Sequence, residues 1–194
     1  MVEKLYVTYN DVHRLCQESA PHILEQIQPQ LMIAIGGGGF IPARHRPLPL
    51  REPPSLGPDN VVEVPGTKVT RTQWLDLSAL GQMENLVGKN ILIVDEVDDT
   101  RTTLDYAVKE LEKDVEAARQ RMGPDAPQTK FSIFVLHNKD KPKKGTLPTD
   151  MQAEGRYVAA RTVKDVWICY PWEAIDIEDH DRLAAEALAA KNSP

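Results

Sequence analysis

Apolar residues along the chain fall into alternating helical and strand-like patterns. Between Asn10 and Ile27, the positions Val12, Leu15, Cys16, Ile23 and Ile27 share one helical face, with Pro21 set to kink it. LMIAI (31–35) is a short apolar run that predicts a buried strand, and it leads straight into Gly36, Gly37, Gly38 and Gly39. KVTRTQW (68–74) alternates as a strand does, and ILIVD (91–95) is a continuous apolar run, as expected of a central strand covered on both faces. From Thr103 to Met122, the residues Leu104, Ala107, Val108, Leu111, Val115, Ala118 and Met122 recur at three- and four-residue steps, which predicts an amphipathic helix. FSIFVL (131–136), RYVAAR (156–161) and VWICY (166–170) predict further strands, and an Ala-rich helix is expected over roughly 180–191. Strand, helix and strand at 91–95, 103–122 and 131–136 make a parallel βαβ unit. The fold expected is α/β: one open, twisted, mainly parallel sheet with flanking helices, in a single domain over 1–194. The proline-rich segment 45–60 should be irregular.

Composition narrows the partners. A formal charge of −6 and a pI near 5.4 provide no basic footprint, so nucleic acid is not an expected partner and an anionic ligand must be held by local features. Cys16 and Cys169 are far apart, which favours buried thiols over a disulfide or a zinc site. The segment MVEKLYVTYN lacks a basic start followed by an apolar run, and no window approaches the ~18 apolar residues of a membrane span. A cytoplasmic location without membrane partners is the expectation.

The chemistry concentrates in ILIVDEVDDTRTTL (91–104). In open α/β sheets ligands bind beyond the carboxyl ends of the strands, where Asp95 and Glu96 must lie. Residues 98–103 then supply backbone N–H groups and the Thr100, Thr102 and Thr103 hydroxyls at a helix N-terminus, a ready phosphate site. Asp95 and Glu96 should point to opposite sides and engage ribose hydroxyls directly or through a hydrated Mg²⁺, while Asp99 remains free to take a proton. The alternative is that Asp98 and Asp99 cap the helix while Asp95 and Glu96 are solvated at a strand end.

The stretch VDEVDDTRTT resembles the ribose-phosphate signature of type I phosphoribosyltransferases, with Arg101 where most of that family has Gly. YNDVHRLCQ (9–17), IAIGGGGFIPAR (33–44), KVTRTQWLD (68–76), VLHNKDKPKK (135–144) and VWICYPWE (166–173) extend the likeness, specifically to fungal xanthine and hypoxanthine-guanine phosphoribosyltransferases. The resemblance implies purine salvage: transfer of 5-phosphoribosyl from phosphoribosyl pyrophosphate to N9 of xanthine, hypoxanthine or guanine, with Mg²⁺ as cofactor. It assigns pyrophosphate binding to Gly36–Gly39, with a cis peptide near Gly37 and Gly38. Asp95 and Glu96 become the ribose- and metal-binding acids. Val97 belongs to the phosphate- and ribose-binding set, and Asp98, Asp99, Thr100, Arg101, Thr102 and Thr103 surround the 5′-phosphate, with Asp99 as the general base.

For the purine, the resemblance implies a lysine donating to the 6-oxo group. Lys139 fits by strand offset and Lys141 is the alternative, most of the surrounding run being a solvated loop face. Trp167 would stack on the base and the Ile168 carbonyl would accept from the ring edge, in a hood formed by 145–194 with the C-terminal helix. Trp172 and Trp74 are expected to be structural, and His137 a satisfied core histidine. Relatives are commonly homodimers. Where the family has a helix, a second core strand and a lid with a Ser-Tyr pair, this chain has 45–60, and the family pattern resumes near Val61 or Gly66. One core strand and part of the lid are therefore expected to be missing. That departure leaves a second reading, a nucleotide-binding or regulatory protein that keeps the phosphate loop.

Overall fold

A computed structural model describes residues 3–44 and 83–192. The expected irregular segment 45–60, the strand at 68–74, Trp74 and the missing strand and lid all lie outside the described residues. Four strands form one parallel sheet in the order β2-β3-β4-β5: β2 (Leu31–Ala34), β3 (Asn90–Asp98), β4 (Lys130–Asp140) and β5 (Tyr157–Lys164). A separate parallel pair joins β1 (Lys4–Tyr6) to β6 (Trp167–Cys169).

The apolar runs of β2, β3 and β4 alternate between two faces, and helices cover both. Met32, Ala34, Leu92, Val94, Phe134 and Leu136 pack with α1 (Tyr9–His22) and α2 (Phe40–Arg44). Ile33, Ile91, Ile93, Phe131, Ile133 and Val135 pack against Leu104, Val108, Leu111 and Val115 of α3 (Thr102–Met122). This double cover is why the strands read as continuous hydrophobic runs and not as alternating ones.

Element boundaries follow local hydrogen bonding. Thr8 and Asp11 form a reciprocal capping box that starts α1. Pro21 lies inside that helix, and the chain then widens into a π turn over Ile23–Ile27, an adjustment next to a residue without an N–H. β4 extends beyond the expected 131–136 because its end pairs with both neighbours, through Asn138 with Asp98 and through Asp140 with Lys164. The last helix, α5 (Ile177–Asn192), starts earlier than 180 because Asp176 Oδ1 accepts from the N–H groups of Glu178 at 3.0 Å and Asp179 at 3.1 Å. The short α4 (Thr149–Ala153) leads into β5. Among the described residues no helix is long and apolar enough to cross a membrane.

Candidate active site

Because all four strands of the sheet are parallel, their carboxyl ends share one edge. That edge gathers the glycine loop after β2, the acidic end of β3 with its loop into α3, the lysines at the end of β4 and the turn after β5. An open α/β sheet binds its ligands there.

In the glycine loop the residues have different reasons to be glycine. A Cβ on Gly39 would lie 2.5 Å from the Ile35 carbonyl oxygen and 2.7 Å from that of Val94, so the loop can sit on β3 only without a side chain. A Cβ on Gly38 would meet the Glu96 carboxylate at 2.3 Å. Gly37 turns the chain with φ at 83°, while its Cβ position is open. The expected cis bond near Gly37 and Gly38 is corrected here: no described peptide bond is cis, and the left-handed Gly37 makes the turn with trans peptides.

At the end of β3, Asp95 is buried and its Oδ1 accepts from the Glu96 N–H at 2.9 Å. Glu96 Oε2 is buried without a hydrogen-bond partner, beside Gly38. An unpaired buried carboxylate oxygen next to a backbone loop suits a divalent cation. Among the described residues no three His, Cys, Asp or Glu side chains cluster as a metal cage. A cation here would thus take most of its ligands from water and a bound phosphate, as Mg²⁺ commonly does. Val97 pairs with His137 in the sheet and packs on the core.

Asp98 does not cap α3. The N-cap residue is Arg101, left-handed at φ 66° and ψ 3°, with no side-chain cap. A non-glycine residue there costs roughly 1–2 kcal/mol unless its surroundings hold it. Asp98 Oδ2 accepts from Arg101 Nε at 2.9 Å, from Arg101 Nη2 at 2.7 Å and from the Tyr157 hydroxyl at 2.6 Å. The guanidinium also lies 5.0 Å from the Tyr157 ring centroid. Burial foremost, then the bond to Asp98, pushes the Tyr157 hydroxyl far up, so it stays a donor. The Arg101 side chain is thereby occupied within the protein, leaving its backbone for the phosphate loop. The Thr100 and Thr102 hydroxyls are 3.0 Å apart at the loop's outer side, and Thr103 follows in the first turn of α3.

The lysine run departs from the expected solvated face. Lys139, Lys141 and Lys143 keep only 12, 22 and 15% of their side-chain surface exposed. Lys141 Nζ stands 2.6 Å from Asp99 Oδ1 and 2.9 Å from Asp165, while Lys139 Nζ stands 3.5 Å from Asp99. Asp99, expected to be free, is instead clamped by the two lysines. Partial burial alone would raise its pKa; the Lys141 hydrogen bond and the two ammonium charges outweigh that and leave it lowered. Lys143 Nζ donates to the carbonyls of Asp98, Asp99 and Lys139 at 2.7, 3.0 and 2.8 Å.

Around the expected hood, Trp167 is 61% exposed and Ile168 is buried. Tyr170 stacks on Trp172 with centroids 4.5 Å apart. Its hydroxyl donates to the Glu96 carbonyl at 2.9 Å and meets His137 Nδ1 at 2.9 Å. The buried His137 is thus a satisfied core histidine, with burial pushing its pKa down to about 4. Sequence reasoning missed Lys143, Tyr157, Asp165 and Tyr170. The lysines carried a usable signal, since 139, 141 and 143 alternate with Asp140, Pro142 and Lys144 and so can share one side. Nothing in the residue pattern marked Tyr157 or Asp165.

No protein-family model matches the chain. It is 50% identical over 199 residues to xanthine phosphoribosyltransferase 1 of Saccharomyces cerevisiae, covering 94% of this chain and 95% of that protein. It is 48% identical over 198 residues to a hypoxanthine-guanine phosphoribosyltransferase of Schizosaccharomyces pombe, with the same shares covered. Among solved structures, a hypothetical protein of Neisseria gonorrhoeae with bound ppGpp matches at 36% identity and a TM-score of 0.71, over 96% of this chain and 98% of that one. A purine phosphoribosyltransferase of Pyrococcus horikoshii shares the fold, at 24% identity and a TM-score of 0.58 over 90% and 97% of the two chains. Relatives this similar over nearly their whole length place the chain in the purine phosphoribosyltransferase family, beside the fungal xanthine and hypoxanthine-guanine enzymes.

Proposed function

We propose that this chain serves purine salvage, transferring 5-phosphoribosyl from phosphoribosyl pyrophosphate to N9 of xanthine, hypoxanthine or guanine, to give XMP, IMP or GMP and pyrophosphate. The observation that carries the reading is the shared carboxyl edge, where the glycine loop, the Asp95–Asp99 acids and the Lys139/Lys141 pair converge on successive parallel strands.

Each residue then has a role. The glycine loop brings backbone amides to the pyrophosphate, and the start of α3 binds the 5′-phosphate. Asp95 and Glu96 hold the ribose and an Mg²⁺, which supplies neutralisation of the leaving pyrophosphate. Asp99 accepts the proton from the purine once the base draws Lys139 or Lys141 away from it; that lysine then donates to the 6-oxo group. An ammonium cannot accept from an amino group, which discriminates against adenine. Trp167 offers an exposed ring for stacking and the Ile168 carbonyl an acceptor for the ring edge. A cytoplasmic homodimer is proposed, the dimer on the resemblance alone.

Steady-state transfer with xanthine, hypoxanthine, guanine and adenine, each with Mg²⁺ and with excess chelator, tests the proposal. Turnover of at least one oxopurine, dependent on the metal and absent with adenine, is expected. Equal use of adenine would contradict the lysine role, and turnover in chelator would contradict the metal.

A further inference from the structure

Four elements meet at one left-handed residue. Asp98 ends β3, Arg101 opens α3, Tyr157 begins β5 and Lys143 comes from the loop after β4. The Asp98 side chain is fully buried, receives the Arg101 guanidinium and the Tyr157 hydroxyl on Oδ2, and has Lys143 Nζ 3.5 Å from Oδ1. The loop carrying Lys143 also tightens on the same spot. The N–H groups of Lys144 and Gly145 donate to the Thr100 carbonyl at 2.9 and 3.2 Å, and a Cβ on Gly145 would lie 2.4 Å from the Arg101 carbonyl oxygen.

Stability alone does not require this construction, because glycine adopts the same backbone at little cost. What the assembly fixes is the direction of the first N–H groups of α3, which have no partner within a helix. We propose that Asp98, Tyr157 and Lys143 are positioning residues that hold Arg101 left-handed, and so aim the N–H groups of residues 100–103 at the 5′-phosphate of a nucleotide. This rests on the phosphate-site reading above. The carbonyl side of the loop is tied back by Lys143, Lys144 and Gly145, which leaves the amide side as the face offered to an anion. The Arg101 side chain contributes by being held, not by touching the phosphate.

The readout is the ratio of GMP to guanosine affinity by calorimetry, which isolates the phosphate, measured with a thermal melt of each protein. Asp98→Asn, which keeps the shape but removes the charge that grips Arg101, is expected to lower the ratio roughly tenfold. Adding Arg101→Gly, which needs no grip, is expected to restore most of it. Tyr157→Phe, which keeps the ring and removes one donor, should lower the ratio roughly threefold alone and leave it unchanged in the Asp98→Asn/Arg101→Gly protein. A ratio unmoved by Asp98→Asn, or lowered without rescue by Arg101→Gly, would overturn the proposal. Should Asp98→Asn fail to fold, the Tyr157→Phe ratio decides alone, and no change there overturns it. A wild type that binds GMP no better than guanosine also overturns it. A wild type that prefers GMP yet transfers no phosphoribosyl sinks the enzymatic reading and leaves the positioning set standing.

Discussion

The glycine loop and the acidic loop both need left-handed backbone at the edge of the same sheet, and they obtain it by opposite means. Gly37 turns at φ 83° with open space around it, whereas Arg101 turns at φ 66° inside a cage of Asp98, Tyr157 and Lys143. The first is conformational freedom supplied by one residue type. The second is a conformation over-determined by neighbours, which makes it dependent on charge and on residues far away in sequence.

The comparison can be strained at several points. The largest effect is expected at Gly39→Ala, where the new Cβ meets two backbone carbonyls: about 3 kcal/mol of stability or more, read in urea melts, with transfer lost alongside. A loss under 1 kcal/mol there would mean that the loop is not seated on β3 as described.

Next comes the pH dependence of the support beneath Glu96, which neither left-handed turn shares. His137, which supports Tyr170 beneath Glu96, has its pKa lowered from 6.5 to about 4, mainly by burial and secondarily by Arg161. Between those values the unfolded chain binds a proton that the folded one does not. Stability contributed by neutral His137 is therefore present above pH 6.5 and is lost as pH falls towards about 4. The slope is roughly 1.4 kcal/mol per pH unit within that window, and it should flatten in His137→Gln. An unchanged slope would assign the pH dependence elsewhere.

Smaller still is Gly37→Ala, which meets no atom and should cost only about 1 kcal/mol, from the backbone alone. The least effect on stability is expected from Lys141→Met. Removing the ammonium closest to Asp99 should let that carboxylate drift up towards its ordinary value, so the acidic limb of the transfer rate moves to higher pH. An unmoved limb would show that Asp99 does not set it.

Much of this architecture was legible along the chain, and the reasons are local. Doubly covered strands announce themselves as apolar runs, as β3 and β4 do, and the acid-rich end of β3 marks the ligand edge from the sequence alone. Four consecutive glycines are equally plain, although a cis peptide was expected where Gly37 takes a positive φ. The support of Arg101 was not legible, because Asp98 and Tyr157 are separated by 59 positions and joined only when β4 and β5 pair. The lysine run looked solvated because charge runs usually are; here the alternating members turn inward to Asp99, Asp165 and the loop carbonyls. The alternative reading of Asp98 as a helix cap rested on the same kind of generality, since a carboxylate just before a helix commonly is one, and here Arg101 takes the N-cap position.

Asp99 is the residue on which chemistry and binding should part most cleanly, so the decisive measurement compares wild type with Asp99→Asn for phosphoribosyl transfer to an oxopurine and for GMP binding in the same preparation. The site geometry predicts turnover in the wild type, a loss of at least roughly a hundredfold in the variant, and GMP affinity within a few-fold in both. Equal turnover in the two proteins would remove Asp99 from the proton transfer, and a wild type that binds GMP but turns over nothing would contradict the assignment of this site to phosphoribosyl transfer.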